Sequence, residues 1–168
     1  GGTGGTSTSV YHGESIIPPA VSREGYNFSV WSPEPAAFMP IGDTTYQAQW
    51  TGWNYTVKFD PNVPEGIMAH PGTMEDQSGF VYGTQKALTE NKYVLNGTGY
   101  TFKGWHTDRT AAIDSEIRYN DKAFIDVMPN ENNGFVTLYA VWEQGDLTNY
   151  KVLHSFMGLD GTTYTVDN

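Results

Sequence analysis

The stretch Gly99-Tyr100-Thr101-Phe102-Lys103-Gly104-Trp105 decides the fold, because its frame also occurs earlier as Gly25-Tyr26-Asn27-Phe28-Ser29-Val30-Trp31. In both copies a glycine ends a turn, and aromatic residues follow at alternate positions. Since successive side chains of a strand point to opposite faces, Tyr100 and Phe102 are predicted to share one face of a β-strand. A recurring frame indicates a repeated structural unit, so the chain is predicted to contain more than one module.

A second repeated signature marks the end of each module. The triplets Ala48-Gln49-Trp50 and Ala140-Val141-Trp142 each close a β-like run, over residues 46–50 and 138–142. Each module therefore opens with the GYxFxxW frame and closes with AxW. Because tryptophan recurs at these positions, burial in the core explains it more simply than ligand binding does. The tryptophans predicted to be core residues are Trp31, Trp50, Trp105 and Trp142.

The composition favours a β-rich protein and argues against several classes of partner. Charged residues are only 17% of the chain, while Gly, Thr, Asn, Tyr and Trp are plentiful, as in strands joined by many turns. The net charge is −10 and the nine basic residues are scattered, which argues against a nucleic-acid partner. No apolar run approaches the ~20 residues of a membrane span, so we do not expect membrane insertion. The absence of cysteine excludes disulfides and thiolate metal sites.

Turn signals and strand patterns divide the chain into four segments. Alternating apolar and polar residues predict a half-buried strand over 54–60, which the first module lacks. Asn149-Tyr150-Lys151-Val152 repeats the start of that strand, and Asp160-Gly161 is a hairpin signal, so the chain is expected to be part of a longer array. The predicted segments are 1–9, a flexible linker or cloning remnant; 10–52, a short or incomplete repeat module; 53–143, a complete repeat module; and 144–168, a linker and the opening hairpin of a further module.

Helix is predicted to be a minor component. Residues 85–90, Gln-Lys-Ala-Leu-Thr-Glu, have good helix propensity, but six residues form little more than one turn. Residues 107–115 are predicted to form a polar loop, and residues 117–125 a short strand or turn. Another short strand is predicted over Val10-Tyr11-His12-Gly13, which resembles Val81-Tyr82-Gly83. The predicted fold class is therefore mainly β, and α+β at most.

A long ordered series of motifs spans residues 54–142. It consists of Tyr55-Thr56-Val57-Lys58-Phe59-Asp60-Pro61-Asn62, Gly72-Thr73-Met74, Tyr82-Gly83-Thr84, Leu88-Thr89-Glu90-Asn91, the Gly99 to Trp105 frame and Val136-Thr137-Leu138-Tyr139-Ala140-Val141-Trp142. This series resembles the Listeria-Bacteroides repeat family, the type found in the B-repeat of internalins. Residues 10–50 resemble it less closely, because Ser29-Val30 stands where the family usually has a residue followed by glycine.

The resemblance implies a fold, a location and partners. It implies small β-grasp-like repeat modules in tandem along an exported protein, at the extracellular surface of a bacterial cell. The implied partners are neighbouring repeat modules and, for an adhesive contact module, a host or bacterial surface protein or a glycan. The leading hypothesis is a stalk or adhesive spacer whose negative charge keeps the modules soluble and apart. The alternative is a module that binds a carbohydrate or a host receptor through exposed aromatic residues.

No constellation of residues indicates an enzyme, a cofactor or a metal. The four histidines are far apart in the sequence, and none lies near a second ligand at metal-binding spacing. Asp108, Asp114 and Glu116 share one loop, but the alternating order of a calcium loop is absent. The sequence also lacks a nucleophile elbow and a phosphate-binding glycine loop. We therefore expect no catalytic, cofactor-binding or metal-binding residue.

Trp53 is the candidate contact residue. It belongs to neither repeated signature and lies between the two modules. An aromatic side chain at such a position suits contact with a ligand or a partner protein. Packing between neighbouring modules is the alternative, and it requires no ligand.

Overall fold

The computed structural model describes residues 2–150 together with the strands at 154–157 and 163–166. Strands dominate this part of the chain, which confirms the mainly β class with little helix; the β-grasp-like arrangement stays a prediction. The elements are β1 (Tyr26–Ser32), β2 (Gln47–Gly52), β3 (Asn54–Asp60), β4 (Gln77–Val81), β5 (Lys86–Ala87), β6 (Tyr100–His106), α1 (Arg109–Ile113), β7 (Phe124–Ile125), β8 (Gly134–Gln144), β9 (His154–Met157) and β10 (Thr163–Val166).

A four-stranded sheet of order β4-β3-β8-β6 carries the main core. β3 pairs parallel with β8, from Tyr55 opposite Gly134 to Asp60 opposite Tyr139, and β6 and β4 pair antiparallel at the two edges. The alternation predicted for β3 is confirmed, because every second side chain of this strand is buried. The buried cluster consists of Tyr55, Val57, Phe59, Phe80, Leu88, Tyr93, Leu95, Trp105, Ile125, Val127, Leu138, Ala140 and Trp142.

The repeated GYxFxxW frame encodes a bulged strand. In β6 the pairing with β8 shifts between Phe102 and Gly104, so that Lys103 is an extra residue. Without it, strict alternation would place Phe102 and Trp105 on opposite faces of the sheet. With it, the two rings lie 5.0 Å apart, and Trp105 is fully buried. Tyr100 packs against the same cluster as Phe102, so the predicted shared face is confirmed.

The same bulge occurs in the first copy of the frame, but the core around it is thinner. β1 and β2 form a two-stranded antiparallel sheet with a register shift between Phe28 and Val30. Trp105 and Trp142 are core residues as predicted, whereas Trp31 and Trp50 are only partly buried, so the prediction was wrong for these two. The physical reason is that β1 and β2 form a sheet of two strands only, while β6 and β8 share theirs with β3 and β4.

The structure differs from the local predictions at three places. Residues 10–13 end in a turn and form no strand. Residues 85–90 do not form a helix, because Lys86 and Ala87 pair with β7 and the buried Leu88 follows. The described helix, Arg109–Ile113, lies in the predicted polar loop, where the Asp108 carboxylate accepts a hydrogen bond from the Ala111 N–H. Strand pairing therefore outweighs the helix propensity of residues 85–90, and the helix forms instead where Asp108 caps its first turn.

The two ends of the chain are paired within the described residues. Thr3 and Ser22 exchange backbone hydrogen bonds of 2.8 and 3.2 Å in an antiparallel bridge. β9 and β10 form an antiparallel pair, as the hairpin signal between them predicts. Residues 151–153 and the turn itself lie outside the described residues. The proposed pairing of this hairpin with a further sheet stays a prediction.

Candidate functional site

Trp53 lies between β2 and β3 and connects the two sheets. Its backbone N–H donates to the Gly25 carbonyl at 2.8 Å, and its carbonyl accepts from the Tyr82 N–H at 2.8 Å. Its indole N–H donates to the Asn27 side-chain carbonyl at 3.1 Å. Gly25 and Asn27 belong to the first repeated frame, whereas Tyr82 follows β4 of the four-stranded sheet. The candidate contact residue is therefore half-buried at a junction between the two sheets.

Glycines allow this junction to pack closely around Tyr82. A Cβ atom added to Gly25 would overlap the Tyr82 ring, and one added to Gly52 would overlap the Tyr82 carbonyl. A Cβ atom at Gly83 would likewise overlap the Tyr26 hydroxyl, and the rings of Tyr26 and Tyr82 meet edge to face at 5.4 Å. These contacts leave no room for a side chain at any of the three glycines. The two sheets therefore approach each other here more closely than any other residue would allow.

Polar contacts extend the junction beyond its aromatic centre. The Arg23 guanidinium lies 3.7 Å from the centroid of the Tyr26 ring, in a cation–π contact. The Asp126 carboxylate accepts a hydrogen bond of 3.2 Å from the Gly83 N–H. Sequence reasoning identified Trp53 but missed Tyr82 and its glycine partners. The sequence signals that could have shown them are the Tyr82-Gly83 pair and Gly52, which directly precedes Trp53.

A second feature is an open groove beside β1, with a volume of about 560 Å³. Phe28 and Val30 face it with 40% and 56% of their surface exposed, and Trp31 is half-buried. The remaining lining residues are Ile16, Pro18, Glu34, Pro35, Ala36 and Ala37. This groove is the site where the structure brings partly exposed aromatic residues together with a carboxylate.

The acidic loop has a structural role in capping α1. Asp108 accepts from the Ala111 N–H, and its own N–H donates to His106 Nδ1 at 2.9 Å. The Asp114 N–H donates to the Thr110 carbonyl at the other end of the helix. Among the described residues no group of three or more His, Asp or Glu side chains is placed to hold a metal ion. In the same part of the chain, no helix is long and apolar enough to cross a membrane.

Two core tyrosines have perturbed ionisation. Burial raises the pKa of Tyr55 to about 12, and the nearby Asp126 carboxylate adds to the effect. Burial also raises the pKa of Tyr93, whose hydroxyl donates to the Phe59 carbonyl at 2.8 Å. A buried phenol resists ionisation because the phenolate would lose its hydration. The core therefore favours the protonated form of both residues.

We expect stability to fall between about pH 10 and pH 12. A folded-state pKa above the unfolded value near 10 gives stability that is full below pH 10 and lost as the pH rises toward 12. For Tyr55 the loss is about 1.4 kcal/mol by pH 11, which lies midway between the two pKa values. Chemical denaturation at pH 8 and pH 11 measures it, with Tyr55→Phe expected to flatten the dependence and Tyr11→Phe, at a residue 83% exposed, to leave it unchanged. An equal pH dependence in all three proteins would contradict the assignment to Tyr55.

Comparison with known protein families identifies the family of this chain. Residues 55–141 match the Listeria-Bacteroides repeat domain. The chain belongs to the Listeria-Bacteroides repeat family. Residues 1–54 match the divergent InlB B-repeat domain, so the match to repeat domains continues through the segment that holds β1 and β2. The resemblance stated from the sequence motifs is confirmed.

Two curated relatives are similar over most of the repeat-containing chain. One, named "Putative Gly-rich membrane protein", from Evansella cellulosilytica, is 31% identical over 73% of this chain and 14% of its own length. The other, Internalin H from Listeria monocytogenes serovar 1/2a, is 28% identical over 86% of this chain and 25% of its own length. The chain thus spans a quarter or less of these relatives. No solved structure matches the chain significantly. The chain contains repeat modules of the kind found in bacterial surface proteins such as internalins.

Proposed function

We propose that the chain is a non-catalytic spacer in an exported protein at the extracellular surface of a bacterium. The observation that carries this proposal is the junction at Trp53, where β2 ends at Gly52 and β3 begins at Asn54. Modules joined through a single residue and packed through glycines hold a fixed relative orientation. A fixed orientation keeps the spacing between modules constant, whereas a flexible linker would let the chain fold back. The net charge of −10 keeps neighbouring copies apart in solution.

Neighbouring repeat modules are the partners that this role requires. The bond from the Trp53 N–H to the Gly25 carbonyl has a counterpart in the second copy, from the Gly145 N–H to the Gly99 carbonyl at 2.9 Å. No described residue lies within 4 Å of a Cβ atom at Gly99, so this counterpart is open. Gln144 stands where the first junction has Gly52, if the two AxW signatures are superposed. A following module would therefore dock at the same end but less closely.

The test of the spacer role is whether the junction is closed in solution. Gly52→Ala places a methyl group against the Tyr82 carbonyl and should separate the two sheets. We expect the amides of Trp53 and Tyr82 to exchange with solvent roughly tenfold faster or more, which corresponds to a junction weaker by about 1.4 kcal/mol. Small-angle scattering should show a change in the longest dimension, while the β3 and β8 amides stay protected.

Gly5→Ala is the matched control, because an added Cβ at Gly5 meets no atom within 4 Å. It should leave both measurements unchanged. Amides of Trp53 and Tyr82 that exchange at random-coil rates in the unmodified chain would mean that the junction is open, and the rigid-spacer proposal would then fail.

The alternative function is an adhesive contact module that binds a surface protein or a glycan. The specific observation in its favour is the groove beside β1, where Phe28 and Trp31 are partly exposed. A spacer needs no such groove, so binding at this position would add contact to the mechanical role.

A further inference from the structure

The equivalent position in the second copy of the frame shows why the groove beside β1 is open. There, residues 117–119 lie along the outer edge of β6 and cover it. The Trp105 N–H donates to the Tyr119 carbonyl at 2.8 Å, and the Trp105 carbonyl accepts from the N–H groups of Arg118 and Tyr119 at 2.9 and 3.0 Å. Gly104 permits this approach, because a Cβ atom would lie 2.6 Å from the Tyr119 carbonyl and 2.7 Å from a methyl group of Ile117. The covering segment therefore depends on a glycine.

In the first copy Val30 stands where the second copy has Gly104. The side chain of Val30 occupies the space that a covering segment would need, and it is 56% exposed. Residues 34–37 line the groove together with Ile16, whose N–H donates to the Ala37 carbonyl at 3.2 Å. The space between β1 and this segment is the groove. Val30 thus leaves the aromatic residues uncovered and also blocks an extended peptide from adding to this edge as residues 117–119 do.

The lining of the groove defines the chemistry of its ligand. The rings of Phe28 and Trp31 lie 5.4 Å apart, and Trp50 supports Phe28 from 5.8 Å, so the aromatic surface is held in place. Glu34 lines the groove and forms no ion pair with a described residue. Aromatic faces bind the C–H faces of sugar rings, and a carboxylate accepts hydrogen bonds from hydroxyl groups. The volume of about 560 Å³ lies within the roughly 300–1,000 Å³ of small-molecule sites.

We propose that this groove binds an uncharged oligosaccharide. The net charge of −10 and the carboxylate of Glu34 repel acidic glycans, so the charge of the site favours an uncharged glycan over an acidic one. The blocking of the strand edge by Val30 argues against an extended peptide. Sugar rings need no backbone hydrogen bonds from β1, which makes them the ligand class that fits all three observations. This inference rests on the alternative function proposed above and names its ligand, and it is independent of the spacer role, which rests on the junction at Trp53.

The test is binding of soluble glycans to the full chain, measured by calorimetry and ligand-observed NMR. The neutral probes are maltotetraose, cellotetraose and triacetylchitotriose, and the acidic probes are 3′-sialyllactose and heparin. We expect saturable binding of at least one neutral probe and none of the acidic ones. Trp31→Ala should weaken it roughly tenfold or more, since it removes a stacking surface. Glu34→Gln should weaken it by about threefold to tenfold, because it replaces charge-assisted hydrogen bonds with neutral ones.

Tyr150→Ala is the matched control, because this aromatic residue is 88% exposed and lies outside the groove. Its affinity should equal that of the unmodified chain. Glu34→Gln replaces one carboxylate oxygen of an exposed side chain by an amide group. It therefore tests the site even if Trp31→Ala disturbs the β1 and β2 sheet. No binding to any neutral probe, binding of acidic probes alone, or affinities unchanged in both groove variants would overturn the proposal. The amide-exchange test of the Trp53 junction does not depend on any of these binding results, so the two proposals can fail separately.

Discussion

Replacing Trp105 by alanine is expected to lower the free energy of unfolding by about 3–5 kcal/mol. The side chain is fully buried, with ring centroids 4.9 Å from Phe59, 5.0 Å from Phe102 and 6.1 Å from Tyr93. Its removal would leave a cavity at the contact of β3, β6 and the segment before β6, which the surrounding strands cannot close. A loss of this size approaches the whole stability of a marginal domain, about 5 kcal/mol.

Chemical denaturation followed by far-ultraviolet circular dichroism measures this effect. Trp31→Ala is the matched control, because Trp31 occupies the same frame position but is only partly buried. We expect Trp31→Ala to lower the free energy of unfolding by less than half as much, since the Trp31 side chain buries less apolar surface in the folded protein. Equal losses in the two variants would show that the second copy of the frame is no better packed than the first.

The strand pattern was readable from the sequence because β3 and β8 carry local signals. Alternation in residues 54–60 requires no knowledge of the partner strands, and the closing strand carries its own AxW signature. The parallel pairing of β3 with β8 was not readable, because it joins residues that are almost a module apart in the sequence. The helix propensity of residues 85–90 was misleading for the same reason, since Lys86 and Ala87 pair with the distant β7.

The candidate site was only partly predictable. Trp53 stood out because it lies outside both signatures, but its role depends on Gly25 and Tyr82, which no local pattern connects to it. The partial exposure of Trp31 was missed because the frame alone does not show how many strands surround it. The sequence shows that Val30 stands where the second copy of the frame has Gly104. Its consequence required the position of residues 117–119 in space.

That consequence yields the second large prediction, which concerns Gly104→Val. The new side chain would meet the Tyr119 carbonyl and Ile117, so residues 117–119 must move away from β6. The displacement would break the three backbone hydrogen bonds to Trp105 and admit water to the edge of its ring. Overpacking and lost hydrogen bonds together should lower the free energy of unfolding by about 3 kcal/mol or more. Chemical denaturation gives the loss, and amide exchange at Trp105 and Tyr119 locates it.

The reverse substitution, Val30→Gly, is the control for the same frame position in the first copy. Val30 is 56% exposed and supports no covering segment, so the change should cost about 1 kcal/mol or less, mainly through the greater backbone freedom of glycine in a strand. The two substitutions are expected to differ because only the second copy has a segment seated against its bulge. If Gly104→Val were as mild as Val30→Gly, residues 117–119 would not depend on the glycine. The account of the groove as the space that Val30 keeps uncovered would then be wrong as well.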